Sequence, residues 1–94
     1  MPTTYSRTSR GYIWYSEVTK NPSNLVAGGV NEESFTVTAA VPGQWIECQA
    51  PSLEAGVIKD KPYCAVAGTV KMRLANPTVN PIDPASQVFY FIAR

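Results

Sequence analysis

Proline and glycine interrupt this chain so regularly that it can form only short elements of secondary structure. Eight prolines and six glycines are spread over its 94 residues. No segment combines the length and the 3.6-residue apolar spacing of an amphipathic helix. Short apolar segments separated by turns at regular spacing are typical of an all-β sandwich or small barrel. We therefore predict about five to seven antiparallel strands in a single β domain over residues 11–94.

One segment in the second half of the chain shows the alternation of a half-buried strand most simply. Val70, Met72 and Leu74 share one parity, while Lys71 and Arg73 share the other. Successive side chains of a strand point to opposite faces of the sheet. The three apolar residues are therefore predicted to face the core, and the two cations to face solvent.

Two further alternating segments flank a proline–glycine turn. Residues 35–41 and 44–50 alternate, and Pro42 and Gly43 lie between them. This dipeptide suits the central positions of a type II turn, in which proline fixes φ and glycine supplies a positive φ. The sequence therefore predicts a hairpin formed by these two strands.

The other elements are predicted from composition and punctuation. Residues 12–19 are rich in aromatic and β-branched side chains, as strands are. Residues 86–93 are apolar on both faces, which is typical of a strand in the middle of a sheet or at an interface. Residues 28–33 are predicted as a glycine-led loop, and residues 52–56 as a single helical turn. Residues 76–84 contain three X-Pro pairs and are predicted as a stiff, ordered loop.

The first ten residues are polar and rich in serine and threonine, with Arg7 and Arg10 as their only charged side chains. By itself such a segment is typical of a disordered tail. The alternative is an extended N-terminal arm that a neighbouring chain holds in place. We adopt the second interpretation, with the arm over residues 1–10.

The residue inventory argues against an enzyme and against a metal site. The chain has no histidine, the commonest general base and a frequent metal ligand, and only two cysteines, Cys48 and Cys64. We expect both cysteines to be reduced and to pack as small apolar side chains. Seven acidic residues are scattered over turns and strand faces and form no recognisable catalytic pair. We predict neither enzymatic activity nor a cofactor.

Charge and hydropathy restrict the partners. A net charge of +1 lacks the basic face that nucleic-acid binding requires. No apolar stretch approaches the roughly 20 residues of a membrane span, and residues 1–7 lack the apolar core of a signal peptide. We expect synthesis in the cytoplasm and no membrane partner. Only 16% of the residues are charged, against about 25% in typical soluble domains, which indicates that another chain covers part of the surface.

A series of landmarks in the second half of the chain resembles a known group of proteins. The landmarks are a Val-Pro-Gly turn, a Pro-Ser-Leu-Glu-Ala-Gly-Val turn, a Gly-Thr-Val-Lys-Met-Arg strand, an Asn-Pro-Thr step and an Ile-Asp-Pro-Ala-Ser turn, at residues 41–43, 51–57, 68–73, 76–78 and 82–86. This half resembles small structural proteins of tailed bacteriophages, in the style of head decoration (cement) or capsid-associated proteins. The resemblance implies a virion component that stabilises the phage head. It would bind the major capsid protein or other virion proteins as a homo-oligomer, for which a trimer would fit threefold lattice sites.

This resemblance, together with residue type, selects candidate interface residues. Aromatic and arginine side chains are the usual interface hot spots, and a proline-rich loop loses little entropy on docking. The candidates come from the arm, the aromatic strand and the proline loop, in that order: Tyr5, Arg7 and Arg10; Tyr12, Trp14 and Tyr15; Asn76, Pro77, Pro81 and Pro84.

Two other functions stay open. A receptor- or glycan-binding module of a phage tail or fibre would use exposed aromatic side chains and the proline loop. A cytosolic enzyme would require a concave site with convergent polar groups. The expected function is that of a non-enzymatic virion protein.

Overall fold

The structure, a computed structural model, describes the backbone of residues 3–5 and residues 13–94 in full. Its strands form two antiparallel sheets, and the described residues include no helix. The strands are β1 (Thr3–Tyr5), β2 (Trp14–Lys20), β3 (Val30–Thr36), β4 (Ile46–Gln49), β5 (Ile58–Lys59), β6 (Tyr63–Val66), β7 (Thr69–Ala75) and β8 (Gln87–Ala93). The predicted small all-β fold is confirmed.

Each sheet is built around one long strand from the second half of the chain. The first sheet has the order β1-β2-β8-β4, and the second has the order β3-β7-β5, with β6 also paired to β7. The strand predicted to be apolar on both faces, β8, lies inside its sheet as expected. In β7 the three apolar residues of the alternating pattern are fully buried, which confirms that prediction.

Aromatic side chains from both sheets meet in the core. The ring of Phe35 on β3 lies 5.0 Å from that of Phe89 and 4.8 Å from that of Phe91, both on β8, measured between centroids. Because these rings come from different sheets, the two inner faces pack directly on each other, as in a β-sandwich. Burial of each such ring stabilises the fold by about 2–3 kcal/mol.

The predicted hairpin across Pro42 and Gly43 is wrong, although the turn itself forms and Gly43 has the expected positive φ of 87°. β3 ends at Thr36 and pairs with β7, whereas β4 pairs with β8 in the other sheet. The alternation stops because Val37 and Ala40, three positions apart, are both buried and form a turn in which the Ala40 N–H donates to the Val37 carbonyl at 3.0 Å. The chain between β3 and β4 is therefore a crossover between sheets.

The loop predicted over residues 28–33 is partly wrong, because β3 begins at Val30. The alternation of this strand is hard to detect in the sequence because a carboxylate, Glu33, occupies an inward position at 5% exposure. Its carboxylate accepts a hydrogen bond from the Ser23 N–H at 3.0 Å and lies 3.8 Å from the Lys20 ammonium. These partners compensate for the burial of the charge.

Residues 52–56 form turns and not the predicted helical turn. Gly56 nevertheless has a φ of 93°, which fits the predicted end of that segment. Within the described part of the chain, no helix is long and apolar enough to cross a membrane.

Candidate interaction surfaces

The side-chain amide of Asn76 joins two loops at one end of the sandwich. We call residues 24–29 and 76–82 the loop pair. The Asn76 amide nitrogen donates to the carbonyl of Asn80 at 2.7 Å, and at longer distance to the carbonyls of Leu25 (3.2 Å) and Val26 (3.3 Å). Its oxygen accepts from the Thr78 N–H at 3.0 Å and from the Thr78 hydroxyl at 2.6 Å. Every polar group of this amide is therefore used within the loop pair.

Backbone hydrogen bonds fix the same two loops. The N–H of Leu25 donates to the carbonyl of Ile82 at 2.8 Å, and the N–H of Ile82 donates back at 2.9 Å. Gly29 must be a glycine, because an added Cβ would lie 2.7 Å from a methyl group of Val26. The proline loop is thus held by hydrogen bonds to a second loop, in agreement with the ordered loop that the sequence predicted.

The outer side of the loop pair is apolar. Val79 is 88% exposed and Val26 is 62% exposed. Pro77 and Pro81, both candidates from the sequence, are also exposed. The other two candidates of this loop, Asn76 and Pro84, are almost completely buried. They can support the loop but cannot contact a partner. The surface that the loop pair offers therefore consists mainly of valines and prolines on a fixed backbone, with Asn24 and Asn80 also exposed.

The predicted aromatic anchors separate into a buried and an outward-facing residue. Trp14 is 1% exposed and belongs to the core, where its indole N–H donates to the Gln44 side chain at 3.0 Å. Tyr15 lies on the outer face of β2, and its hydroxyl donates to the Glu17 carboxylate at 2.9 Å. Trp14 therefore stabilises the fold and presents no surface to a second chain.

The arm candidates lie at or beyond the limit of the described residues. Tyr5 belongs to β1 and is directly opposite Tyr15 in the register of β1 and β2. Arg7, Arg10 and Tyr12 lie outside the described residues.

Tyr15 contributes to a shallow concavity on the outer face of the first sheet. Its ring stacks on that of Tyr90 with 6.4 Å between centroids and an interplanar angle of 25°. Ile92 is paired with Tyr15 on one side and with Glu47 on the other. Cross-strand neighbours therefore leave the outward side chains of β8 half-buried and not fully exposed.

A groove beside Trp45, which was not among the sequence candidates, is lined by aromatic, acidic and basic side chains. It lies between the edge strand β4 and residues 59–62 and encloses about 360 Å³. We call it the Trp45 groove. The indole of Trp45 is 56% exposed, and the Lys61 ammonium lies 3.4 Å from its ring centroid, which is a close cation–π contact.

Each carboxylate of the Trp45 groove has its own partners. Glu47 accepts from the Trp45 indole N–H at 2.9 Å and lies 3.2 Å from the Arg94 guanidinium. The indole hydrogen bond is the main cause that holds the pKa of Glu47 below its usual range; desolvation opposes it, and the charges of Arg94 and Lys61 lower the pKa further. Asp60 accepts from the Lys61 backbone N–H at 2.8 Å and lies 4.0 Å from Arg73.

The two lysines of the groove, Lys59 and Lys61, differ from Glu47 and Asp60 because neither has an ion-pair partner among the described residues. Across residues 13–94, neither Lys59 nor Lys61 forms an ion pair with a carboxylate. Lys59 lines the groove, and its positive charge acts on the nearby Cys48 thiol. The lining itself holds two lysines and two carboxylates, and the neighbouring arginines bring the cations around these carboxylates to four.

The parity of residues 44–50 contains a signal for this site. The pattern placed Ile46 and Cys48 inward, and both are buried. Trp45 has the opposite parity, together with Glu47 and Gln49, and a large aromatic side chain on the polar face of a strand indicates a contact surface. Lys61 reaches Trp45 only through the fold, so no sequence pattern could have paired them.

The cysteines are free and buried, as the sequence predicted. Burial raises the pKa of the Cys48 thiol to about 12, so this thiol stays protonated at neutral pH. Among the described residues, no group of three or more acidic, cysteine or histidine side chains is arranged to hold a metal ion. Comparison with protein-family models, with curated proteins and with solved structures found no match for this chain.

Proposed function

We propose that the protein is a non-enzymatic structural component of a phage head, a decoration protein that binds the capsid through the loop pair. Two things support this proposal: the resemblance of residues 41–86 to such proteins, and the exposed valines on a loop pair that Asn76 holds fixed. The exposed valines carry most weight, because they provide a surface through which the protein could bind the capsid. In this proposal the chain acts in the virion as a homo-oligomer on the major capsid protein.

A fixed apolar loop is well suited to docking. Association normally costs about 0.5–1.5 kcal/mol for each flexible side chain that becomes ordered, in addition to loop ordering. The backbone of the loop pair is already ordered by hydrogen bonds, and valine has only one side-chain torsion to lose. Full burial of Val79 would contribute about 1.5–2 kcal/mol.

Co-sedimentation with phage heads tests this proposal. Heads of the phage that encodes the chain, stripped of this protein, are mixed with wild type or with Val79→Asp and sedimented. We expect Val79→Asp to lose most of its binding because a carboxylate would be desolvated in the contact. The matched control is Val66→Asp, another exposed valine, which lies on β6 and pairs with Thr69 at the end of β7 opposite the loop pair, about 20 Å away for six residues of strand.

The proposal is overturned if Val79→Asp binds heads as well as wild type does, or if wild type does not bind at all. Equal loss of binding in Val66→Asp would also contradict it, because the loop pair would then have no special role. Circular dichroism confirms that both variants are folded. The mass of the protein in solution tests the proposed homo-oligomer directly.

The exposed indole of Trp45 favours a second candidate, a receptor- or glycan-binding module of a phage tail or fibre. A ligand stacked on this indole would change its fluorescence, whereas Trp14 is buried in the core and would respond little. We would titrate the protein with host polysaccharides and follow tryptophan emission. A response that persists in Trp45→Phe would show that the signal comes from elsewhere and would remove this candidate.

A further inference from the structure

We infer that the Trp45 groove is a binding site for an acidic saccharide, meaning a sugar whose ring carries a carboxylate. This inference rests on the second candidate function and names its ligand class. It does not depend on the loop pair, which lies on a different part of the molecule.

The aromatic part of the site suits a sugar ring. Pyranose rings have a face of C–H groups that packs on indole, the largest aromatic surface available in a protein. Trp45 keeps 56% of its surface exposed even though Lys61 lies over the ring. The groove is open to solvent and offers about 360 Å³, which is at the lower end of small-molecule sites and corresponds to about two sugar rings.

The charges of the site select an acidic sugar over a neutral one. Arg94 compensates Glu47, and Arg73 approaches Asp60, so both carboxylates already have a cationic neighbour. Lys59 has no carboxylate partner among residues 13–94, whereas Lys61 lies over the Trp45 ring and its charge acts on Glu47. A ligand carboxylate would provide the missing partner and form a charge-assisted hydrogen bond.

The same groups argue against an oligonucleotide, the other common ligand of aromatic and basic side chains. Single-stranded nucleic acid is bound by successive aromatic platforms along a basic track, whereas this groove has one indole. Glu47 lies at the edge of that indole, with its pKa held low. Toward a sugar, a carboxylate is favourable because it accepts hydrogen bonds from hydroxyl groups.

The test compares pairs of ligands that differ only in charge. Tetramers of galacturonic, glucuronic and mannuronic acid and an oligomer of sialic acid are titrated against the full chain, each beside its methyl ester. Binding is measured by calorimetry and by Trp45 fluorescence. We expect at least one acid to bind, and its ester to bind about tenfold more weakly or worse, which is the effect of losing one charge-assisted hydrogen bond.

Variants assign the effect to particular residues. Lys59→Ala should weaken binding of the acid by about tenfold while leaving binding of the ester unchanged. Trp45→Ala should abolish binding of both, with circular dichroism as the check on folding. Lys71→Ala is the matched control, because Lys71 lies on the second sheet beside Glu32, and it should bind the acid like wild type.

Three results would overturn the inference. They are the absence of binding by every acid in the panel, equal binding of acid and ester, and binding of an oligothymidine that Lys59→Ala weakens while no acid binds. Should neutral polysaccharides alone change Trp45 fluorescence, the glycan-binding candidate would stand and the acidic ligand class would be wrong. None of these ligand-binding results alters the outcome of head co-sedimentation, which tests the loop pair.

Discussion

Replacement of Asn76 by alanine should destabilise the whole domain, because this buried amide holds the proline loop in its conformation and also contacts the second loop of the loop pair. Its side chain takes part in five hydrogen bonds and is almost completely buried. Alanine retains none of these hydrogen bonds and leaves a void of the size of the amide group.

The expected loss of unfolding free energy is about 3 kcal/mol. Three of the hydrogen bonds, at 2.7, 3.0 and 2.6 Å, are short and contribute about 1 kcal/mol each. The carbonyls of Leu25 and Val26 keep a second donor, from Ile82 and Gly29 respectively, so loss of the two longer bonds adds little. A domain of this length is stable by about 5–14 kcal/mol, which makes the loss large but compatible with folding.

Urea denaturation, followed by circular dichroism, measures the effect. With a slope of about 1 kcal/mol per molar urea for a small domain, the midpoint should fall by about 2–3 M. Asn31→Ala is the control, since it removes a single exposed hydrogen bond to the Asn24 carbonyl and should cost below about 1 kcal/mol. Asn76→Asp keeps the acceptor and removes the donors. If Asn76→Ala costs no more than Asn31→Ala, the Asn76 amide does not hold the loop pair and this assignment is refuted.

Three further substitutions have defined outcomes. Met72→Ala should cost about 2–5 kcal/mol in urea denaturation, because the side chain is fully buried in the core; a cost below about 1 kcal/mol would contradict the packing. The pKa of Cys48 is about 12 in the folded protein, against an ordinary 9.0. As the pH rises above 9.0, the thiol therefore ionises in the unfolded chain but not in the folded one, which favours unfolding. The contribution of the protonated thiol to stability is complete below pH 9.0 and is lost toward pH 12. Cys48→Ala should therefore show a smaller fall in urea midpoint between pH 8 and pH 10 than wild type. The Ala85 N–H holds the pKa of Glu54 below its ordinary 4.5, so its contribution is complete above pH 4.5 and is lost as the pH falls through the lowered value. Glu54→Gln should remove that acid-dependent loss, which is below about 1 kcal/mol because the group is largely exposed; an unchanged acid dependence would refute the assignment.

The sequence was sufficient to predict which side chains are buried where one face of a strand was uniformly apolar. The alternation over residues 70–74 predicted the inward side chains of β7 correctly, and the two-sided apolar pattern of residues 86–93 predicted that β8 lies inside a sheet. The positive φ at Gly43 followed from the preceding proline. These successes share a cause, since each depends on residues that are neighbours in the chain.

Pairing between distant strands could not be predicted in this way. Strands β3 and β4 follow each other along the chain but lie in different sheets, and nothing local distinguishes this crossover from a hairpin. Burial of Glu33 depends on Lys20 and on the Ser23 N–H, and the Trp45 groove depends on Lys61. The sequence showed candidates for contact but not which of them share a surface.

The low charge of the chain can be explained by where its apolar residues lie. The outer face of β8, apolar in sequence, is partly covered within the chain by the stacked rings of Tyr15 and Tyr90, so this face does not require a second subunit to cover it. Among residues 13–94 the most exposed large apolar side chain is instead Val79 at the loop pair, and Trp45 is the exposed tryptophan. Both are at ends or edges of the sandwich, and a contact there buries only a small area. Because specific interfaces usually bury about 800 Å² on each partner, a stable assembly would need the loop pair to combine with further surface. Val79→Asp should therefore reduce head binding mainly because it places a carboxylate in the desolvated contact, while the exposed position of Val79 leaves the isolated fold intact.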